Sequence, residues 1–392
     1  MIKKSLLFVF ILVLSGQAVF SQNPGETILQ SYERIFVRSS LSTKVNVLSD
    51  AANDEAAAQF YGPLCDLALR FVILNAPLFR DDPDMINITV AAVRGLGSYA
   101  YKPATGTVWQ AFLGFPDNVI RYEILKALPF LDTLSLTGKI NDFIAGENRR
   151  YISGTPADAE LLLPLFNILG GSGDVSSYPV LLNSSIIYSG EVRNGAIGAF
   201  YKINGNIFDY CVMVVINNAP EEKLAAFNLL LGWKELDEEE ECNLAEAALD
   251  AALSVPGDKR PEIQELSGAS LLIIRETGWV RALPQVLKYY NQSLAMFRSD
   301  LSFKQPLVNA IQCLGNLKSA ASAQALTLQL GLYNSRSTEL QAEELEVVQA
   351  MVRALGQLAY KASYDALYYT SILSYPERIV AEAETALAKL KW

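Results

Sequence analysis

The sequence predicts an all-α protein: an α-solenoid of stacked antiparallel helical hairpins behind an N-terminal signal peptide. Three observations predict it. A ten-residue phrase recurs, apolar residues repeat at helical spacing through most of the chain, and strand signals are few. The phrase is VRGLGSYAYK at Val93–Lys102 and VRALGQLAYK at Val352–Lys361, identical at seven of ten positions. Its residues are mostly Val, Leu, Gly and Ala, which cannot accept protons, attack carbonyls or hold a metal. A unit of packing is therefore expected, not an active-site motif used twice.

The first element is a targeting segment. Lys3 and Lys4 precede an unbroken apolar run, Leu6–Leu14, which turns small and polar at Ser15–Gln17. Val19 and Ser21 suit the small-residue rule for cleavage after Ser21, with Ala18 as the other option. The run reaches about half of the ~20 residues a membrane-crossing helix needs. No Cys follows it for lipid attachment, and no later stretch is long and apolar enough to span a bilayer. A periplasmic or secreted chain is expected, with no membrane insertion of the mature form. Losing Lys3 and Lys4 takes the formal charge from −10 to −12. That sign repels phosphate backbones and anionic lipid surfaces, so no nucleic-acid partner is predicted.

Residues 22–84 are expected to form an N-terminal helical capping region, and residues 85–392 the array. No Pro/Gly/Ser-rich linker interrupts them. Asp82 before Pro83 marks a helix start, since Pro suits the first helical position, and Thr155 before Pro156 reads likewise. The first copy of the phrase ends its helix near Gly97, with the chain resuming a helix near Thr107. Phe166–Gly171 places Gly170 in the same role, and weaker copies centre on Gly198 and Gly278. Tyr210–Ile216 (YCVMVVI) is the best strand signal, but helical pattern flanks it and a buried helix is expected. Ile311–Leu326 aligns beneath Val352–Leu367 with seven identities in sixteen.

In that last copy, Leu345, Val348, Val352 and Leu355 share one helix face. Gly356 then either relaxes the helix end or admits a neighbouring helix. Ser363 is expected to cap a second helix with Ala366, Leu367, Thr370 and Leu373 facing inward. Thr338 with Gln341, and Ser374 with Glu377, read as capping boxes. Ile379 through Leu390 forms a final amphipathic helix. Asn118–Asp258 matches the phrase poorly, so repeat number and register stay open there.

A period of about forty residues built from two helices is the spacing of HEAT and armadillo arrays. The phrase resembles the HEAT repeats common in bacterial proteins, whose first helix ends in a VRxALGxL-like run. Arg94 and Arg353 stand where that arginine belongs, and Gln312 replaces it in the copy between them. The resemblance covers residues ~85–392 and implies a long curved surface suited to a protein partner.

Chemistry is sparse. The chain has no histidine, which removes Ser-His-Asp and Cys-His catalysis and the HExxH-type zinc sites. Neither a GxSxG elbow nor a GK[ST] phosphate loop occurs. Cys65, Cys211, Cys242 and Cys313 form no CxxC pair and read as small buried hydrophobes, although oxidising surroundings would permit a Cys211–Cys242 bridge. The acidic run Asp237–Glu241 reads as a solvated helix start, since acids are favourable in a first turn. Tyr360, Tyr364 and Tyr368 stand at i, i+4, i+8. They either pack between hairpins or, with Arg94, Tyr101 and Arg353, present a partner-binding face. The expected function is a non-catalytic protein-binding scaffold, with no catalytic, cofactor or metal residue. An all-α toroid acting on glycans through paired carboxylates is the alternative. Against it, Trp109, Trp233, Trp279 and Trp392 are scattered.

Overall fold

The computed structural model describes residues 24–79, 82–255 and 257–390. The segment expected to be a signal peptide lies outside them. The described residues form twenty α-helices joined by short 3-10 turns, with no strand. No helix among them is long and apolar enough to cross a membrane. The chain divides into two compact units, one ending at Gly205 and the other beginning at Asn206.

In the first unit the helices are α1 (Pro24–Arg38), α2 (Leu41–Asn53), α3 (Tyr61–Phe79), α4 (Pro83–Ser98), α5 (Thr105–Gly114), α6 (Asn118–Ala127), α7 (Thr137–Ile152), α8 (Ala159–Ser172), α9 (Tyr178–Ile187) and α10 (Gly190–Phe200). Each odd helix pairs with the even helix after it. The even helices α2, α4, α6, α8 and α10 pack on one another in sequence. The second unit repeats this plan with α11 (Ile207–Asn217), α12 (Pro220–Leu231), α13 (Glu238–Ala252), α14 (Pro261–Thr277), α15 (Leu283–Ser299), α16 (Lys304–Asn316), α17 (Ala320–Asn334), α18 (Ala342–Leu358), α19 (Tyr364–Ile372) and α20 (Glu377–Ala388). Here α12, α14, α16, α18 and α20 form the continuous layer.

Small residues make that layer possible. Gly356 lies within α18, and a Cβ there would stand 2.9 Å from the Ala386 Cβ of α20. Gly315 of α16 faces Ala354 of α18 at 2.9 Å in the same sense. In the first unit Gly97 faces Ala127, and Gly170 faces the Ala199 backbone at 3.0 Å. Of the two roles open to Gly356, close approach of a neighbouring helix is the one observed. Leu96, Leu314 and Leu355, one residue before each glycine of the recurring phrase, are all fully buried.

The helix end lies three residues further on, where the chain enters the left-handed region. Ala100, Lys318 and Ala359 have φ of 47°, 47° and 57°, and Gly173 takes that place after Gly170, at φ 69°. A Cβ costs roughly 1–2 kcal/mol in this conformation. Ala359→Gly should therefore raise stability by about 0.5–1 kcal/mol, after the entropy cost of glycine. Urea denaturation checks it, and a destabilised variant would contradict it.

Several local expectations change. The recurring phrase closes the second helix of a hairpin, because α18 pairs with α17 before it and α19 pairs with α20 after it. The Ser363 hydroxyl does not cap α19; it meets the Thr327 hydroxyl of α17 at 2.9 Å. Helix α8 starts at Asp158, whose carboxylate accepts from the Leu161 amide, three residues past Thr155. The capping box near residue 340 is Gln341 with Glu344, and α20 starts after Pro376 without a side-chain cap. Gly198 has open space around it. Gly278 is the left-handed residue that ends α14, which puts Arg275 at the position glycine holds in the other copies.

Other expectations hold. Asp82 caps α4 through the Asp84 amide at 2.8 Å. Tyr210–Ile216 lies in α11. Asp237 and Glu240 close a capping box at the start of α13. All four cysteines are buried and free, and burial pushes the Cys65, Cys211 and Cys313 thiols up to about 12, which disfavours the thiolate at those three.

Candidate functional site

The expected partner-binding residues are divided between the units. Arg94 on α4 and Tyr101 after it belong to the first. Arg353 on α18, Tyr360, and Tyr364 and Tyr368 on α19 belong to the second. Tyr101 packs against Gly62 of α3, leaving no room for a Cβ there. Tyr360 donates its hydroxyl to the Lys318 carbonyl at 2.9 Å, satisfying the left-handed end of the preceding hairpin. Tyr364 and Tyr368 stack with ring centroids 5.9 Å apart, and Tyr368 remains exposed.

The two arginines of the recurring phrase do equivalent work on the even layer. Arg94 donates to Glu123 of α6 at 2.8 Å, and Arg353 grips both oxygens of Glu382 of α20 at 2.9 and 2.6 Å. Each pair ties one even helix to the next beside the glycine–alanine contact. Hydrogen bonding from Arg94 holds the mostly buried Glu123 carboxyl down at about 2. The unfolded carboxyl titrates near 4.3. The unfolded chain thus takes up the proton first as pH falls. Stability contributed above pH ~4.3 is lost on the way to pH ~2. Glu123→Gln should cost about 1 kcal/mol at pH 7, the exposure of Arg94 limiting its size, and progressively less as pH falls towards and through about 2. Denaturation curves at several pH values test this; a cost independent of pH would contradict it.

Arg353 opens onto a concavity of the second unit. This groove, with a volume of about 520 Å³, is lined by Arg275 of α14; Gln305, Gln312 and Asn316 of α16; Glu346, Gln349, Arg353 and Gln357 of α18; and Arg378 of α20. It takes one helix after another from the even layer, so its lining is set by the same stacking that places Gly315 and Gly356. Val308, Ala350 and Ala354 give it a small apolar floor.

The polar groups are partly wired together. Arg275 donates to the Gln312 carboxamide at 2.9 Å, and Asn316 donates to the Arg275 carbonyl at 3.2 Å. Gln349 donates to Glu382 at 2.6 Å, beside Arg353. Burial raises the Glu382 pKa, but the hydrogen bonds from Arg353 and Gln349 outweigh it and leave the group below its usual value. Lys304 holds Glu346 at 2.7 Å. Glu346, the acid of the groove lining, and Glu382 beside it are thus both already partnered. Displaced carboxyl pKa values elsewhere run the same way: Asp258 and Asp300 are lowered by hydrogen bonds from Arg260 and from Ser302.

Sequence reading singled out Arg353 and noted Gln312, but missed Arg275, Gln349, Gln357 and Arg378. A signal was present. Gln349, Arg353 and Gln357 stand at i, i+4, i+8 on the face opposite Val348 and Leu355, and Gln305, Gln312 and Asn316 repeat it at i, i+7, i+11.

No family model matches the chain, and no curated protein matches it. Among solved structures, an engineered protein aligns over 92% of this chain and 98% of its own, at 12% identity and a TM-score of 0.35. A likeness of that size carries no argument about fold or function.

Proposed function

We propose that the chain is a HEAT-like α-solenoid, periplasmic or secreted, that acts without catalysis as a scaffold for a protein partner, gripping an extended stretch of polypeptide. One observation carries this reading: guanidinium and carboxamide groups from four successive helices of the even layer converge on a single groove. A side-chain carboxamide offers one acceptor and two donors, the complement of a peptide group. A series of them at helical intervals suits a ligand whose own polar groups recur at regular steps. The apolar N-terminal run and the resemblance of the recurring phrase to HEAT repeats support the location and the fold name.

Photo-crosslinking tests the reading directly. A benzoylphenylalanine placed at Val308, on the groove floor, is expected to capture a reproducible polypeptide from the cell envelope. The same probe at exposed Leu74 of α3 should not capture it. Equal capture at both positions, or none at Val308, would count against the scaffold.

A further inference from the structure

We infer that the groove of the second unit selects acidic segments, against the charge of the chain as a whole; this rests on the peptide-scaffold reading above. The formal net charge of −10 leads one to expect basic partners. Inside the groove the sum is different. Glu346 is neutralised by Lys304 at 2.7 Å and Glu382 by Arg353 at 2.6 Å. The groove lining itself carries three guanidiniums, Arg275, Arg353 and Arg378, against one carboxylate, Glu346. Arg275 is bonded to the neutral Gln312 and pairs at 3.9 Å with Glu276, an exposed acid outside the groove lining. Arg378 stands exposed in the first turn of α20; its charge adds to that of Arg353 on Glu382, whose oxygens are already taken by Arg353 and Gln349.

Arg275 and Arg378 lie on α14 and α20, the outermost of the four helices lining the groove, with Gln312, Gln349 and Gln357 on the helices between them. An extended chain laid across α14 to α20 would meet a guanidinium towards each end and carboxamides in the middle. Arginine offers a planar fork of donors that fits a carboxylate in a two-point grip. The occupant is therefore an extended peptide with Asp or Glu side chains near both ends and a backbone free to pair with the carboxamides.

A random dodecapeptide display library panned on the purified chain decides it. The expected result is enrichment of sequences carrying two or more acids. Their labelled synthetic copies should bind about tenfold more weakly to Arg378→Glu, and again to Arg275→Glu, in fluorescence anisotropy. Lys139→Glu, an equal charge change on α7 of the first unit, should leave binding unaltered. Circular dichroism identifies any variant that fails to fold, and Arg378→Glu, at an exposed first-turn position, is the one expected to fold normally. Enriched sequences without acids, or acidic ones indifferent to Arg378→Glu, would overturn the charge preference while leaving the peptide groove standing. If nothing is enriched, the scaffold reading itself falls.

Discussion

Gly356→Val is expected to lower stability by about 3 kcal/mol or more, although replacing a helical glycine normally stabilises. In an open helix interior a side chain at a glycine position gains up to ~1 kcal/mol from propensity. Gly331 of α17, with open space around it, is such a position, and Gly331→Ala should show that gain. At Gly356 the first added carbon already stands 2.9 Å from the Ala386 Cβ and 3.2 Å from its Cα. Backbone cannot move aside as a flexible side chain can, so α20 must shift from α18. Overpacking of this kind costs ~1–3 kcal/mol for one or two carbons, and a β-branched residue adds helix strain. Displacement of α20 also stretches the Arg353–Glu382 pair. Chemical denaturation of the two variants measures the contrast, and a neutral Gly356→Val would remove the close contact from the account.

Lys44→Ala should be nearly as damaging, by about 2–4 kcal/mol, for a reason no charge count conveys. The residue is 2% exposed, and its ammonium group donates to the Phe36 and Val37 carbonyls and, at 3.0 Å, to that of Ser39. Phe36 and Val37 hold two of the last carbonyls of α1, which have no partner within their own helix, and Ser39 follows its end. The Phe36 and Phe71 rings lie 4.6 and 4.7 Å away and complete the cage. Burial lowers the lysine pKa, a cost that the three acceptors and the rings offset. Lys223 of α12 repeats the device on α11, donating to Val215 and Ile216 at 2.7 and 2.6 Å. Arg121 does so on α5 through Phe112 and Phe115. Stranding buried carbonyls costs about 1–3 kcal/mol for each group left unpaired. Lys44→Ala and Lys223→Ala should both unfold at clearly lower urea concentration, whereas Lys139→Ala on exposed α7 should not. Equal midpoints for all three would show that these lysines are not helix caps.

These two predictions mark what was legible and what was not. The apolar face of α18 and the placement of Gly356 could be read directly, because Leu345, Val348, Val352 and Leu355 keep helical spacing. The unevenness of the array could not. Helices α5 and α6 have ten residues each, while α14 has seventeen, so a fixed offset of about forty loses register between Asn118 and Asp258. Hairpin pairing was misread because the short Tyr360–Ser363 link after α18 looks like a hairpin turn. In space it carries the chain to α19, which packs on α17 and pairs with α20. Buried lysines were invisible because nothing local marks them: Lys44 takes its acceptors from the preceding helix. The groove was half legible. Arg353 was noticed as part of the repeated phrase, but Gln349 and Gln357 lie on the polar side of α18, and attention to apolar spacing passed them over.

The central claim is that four contacts of the even layers, α4–α6, α8–α10, α16–α18 and α18–α20, are made through a glycine facing an alanine. Its most direct measurement is a double-mutant cycle on Gly356→Ala and Ala386→Gly, read by urea denaturation. The exchange moves one methyl group across the contact and keeps the total volume. The account predicts a coupling of about 1–2 kcal/mol, with Ala386→Gly relieving most of the damage done by Gly356→Ala. Additive effects, with no relief in the double variant, would contradict it.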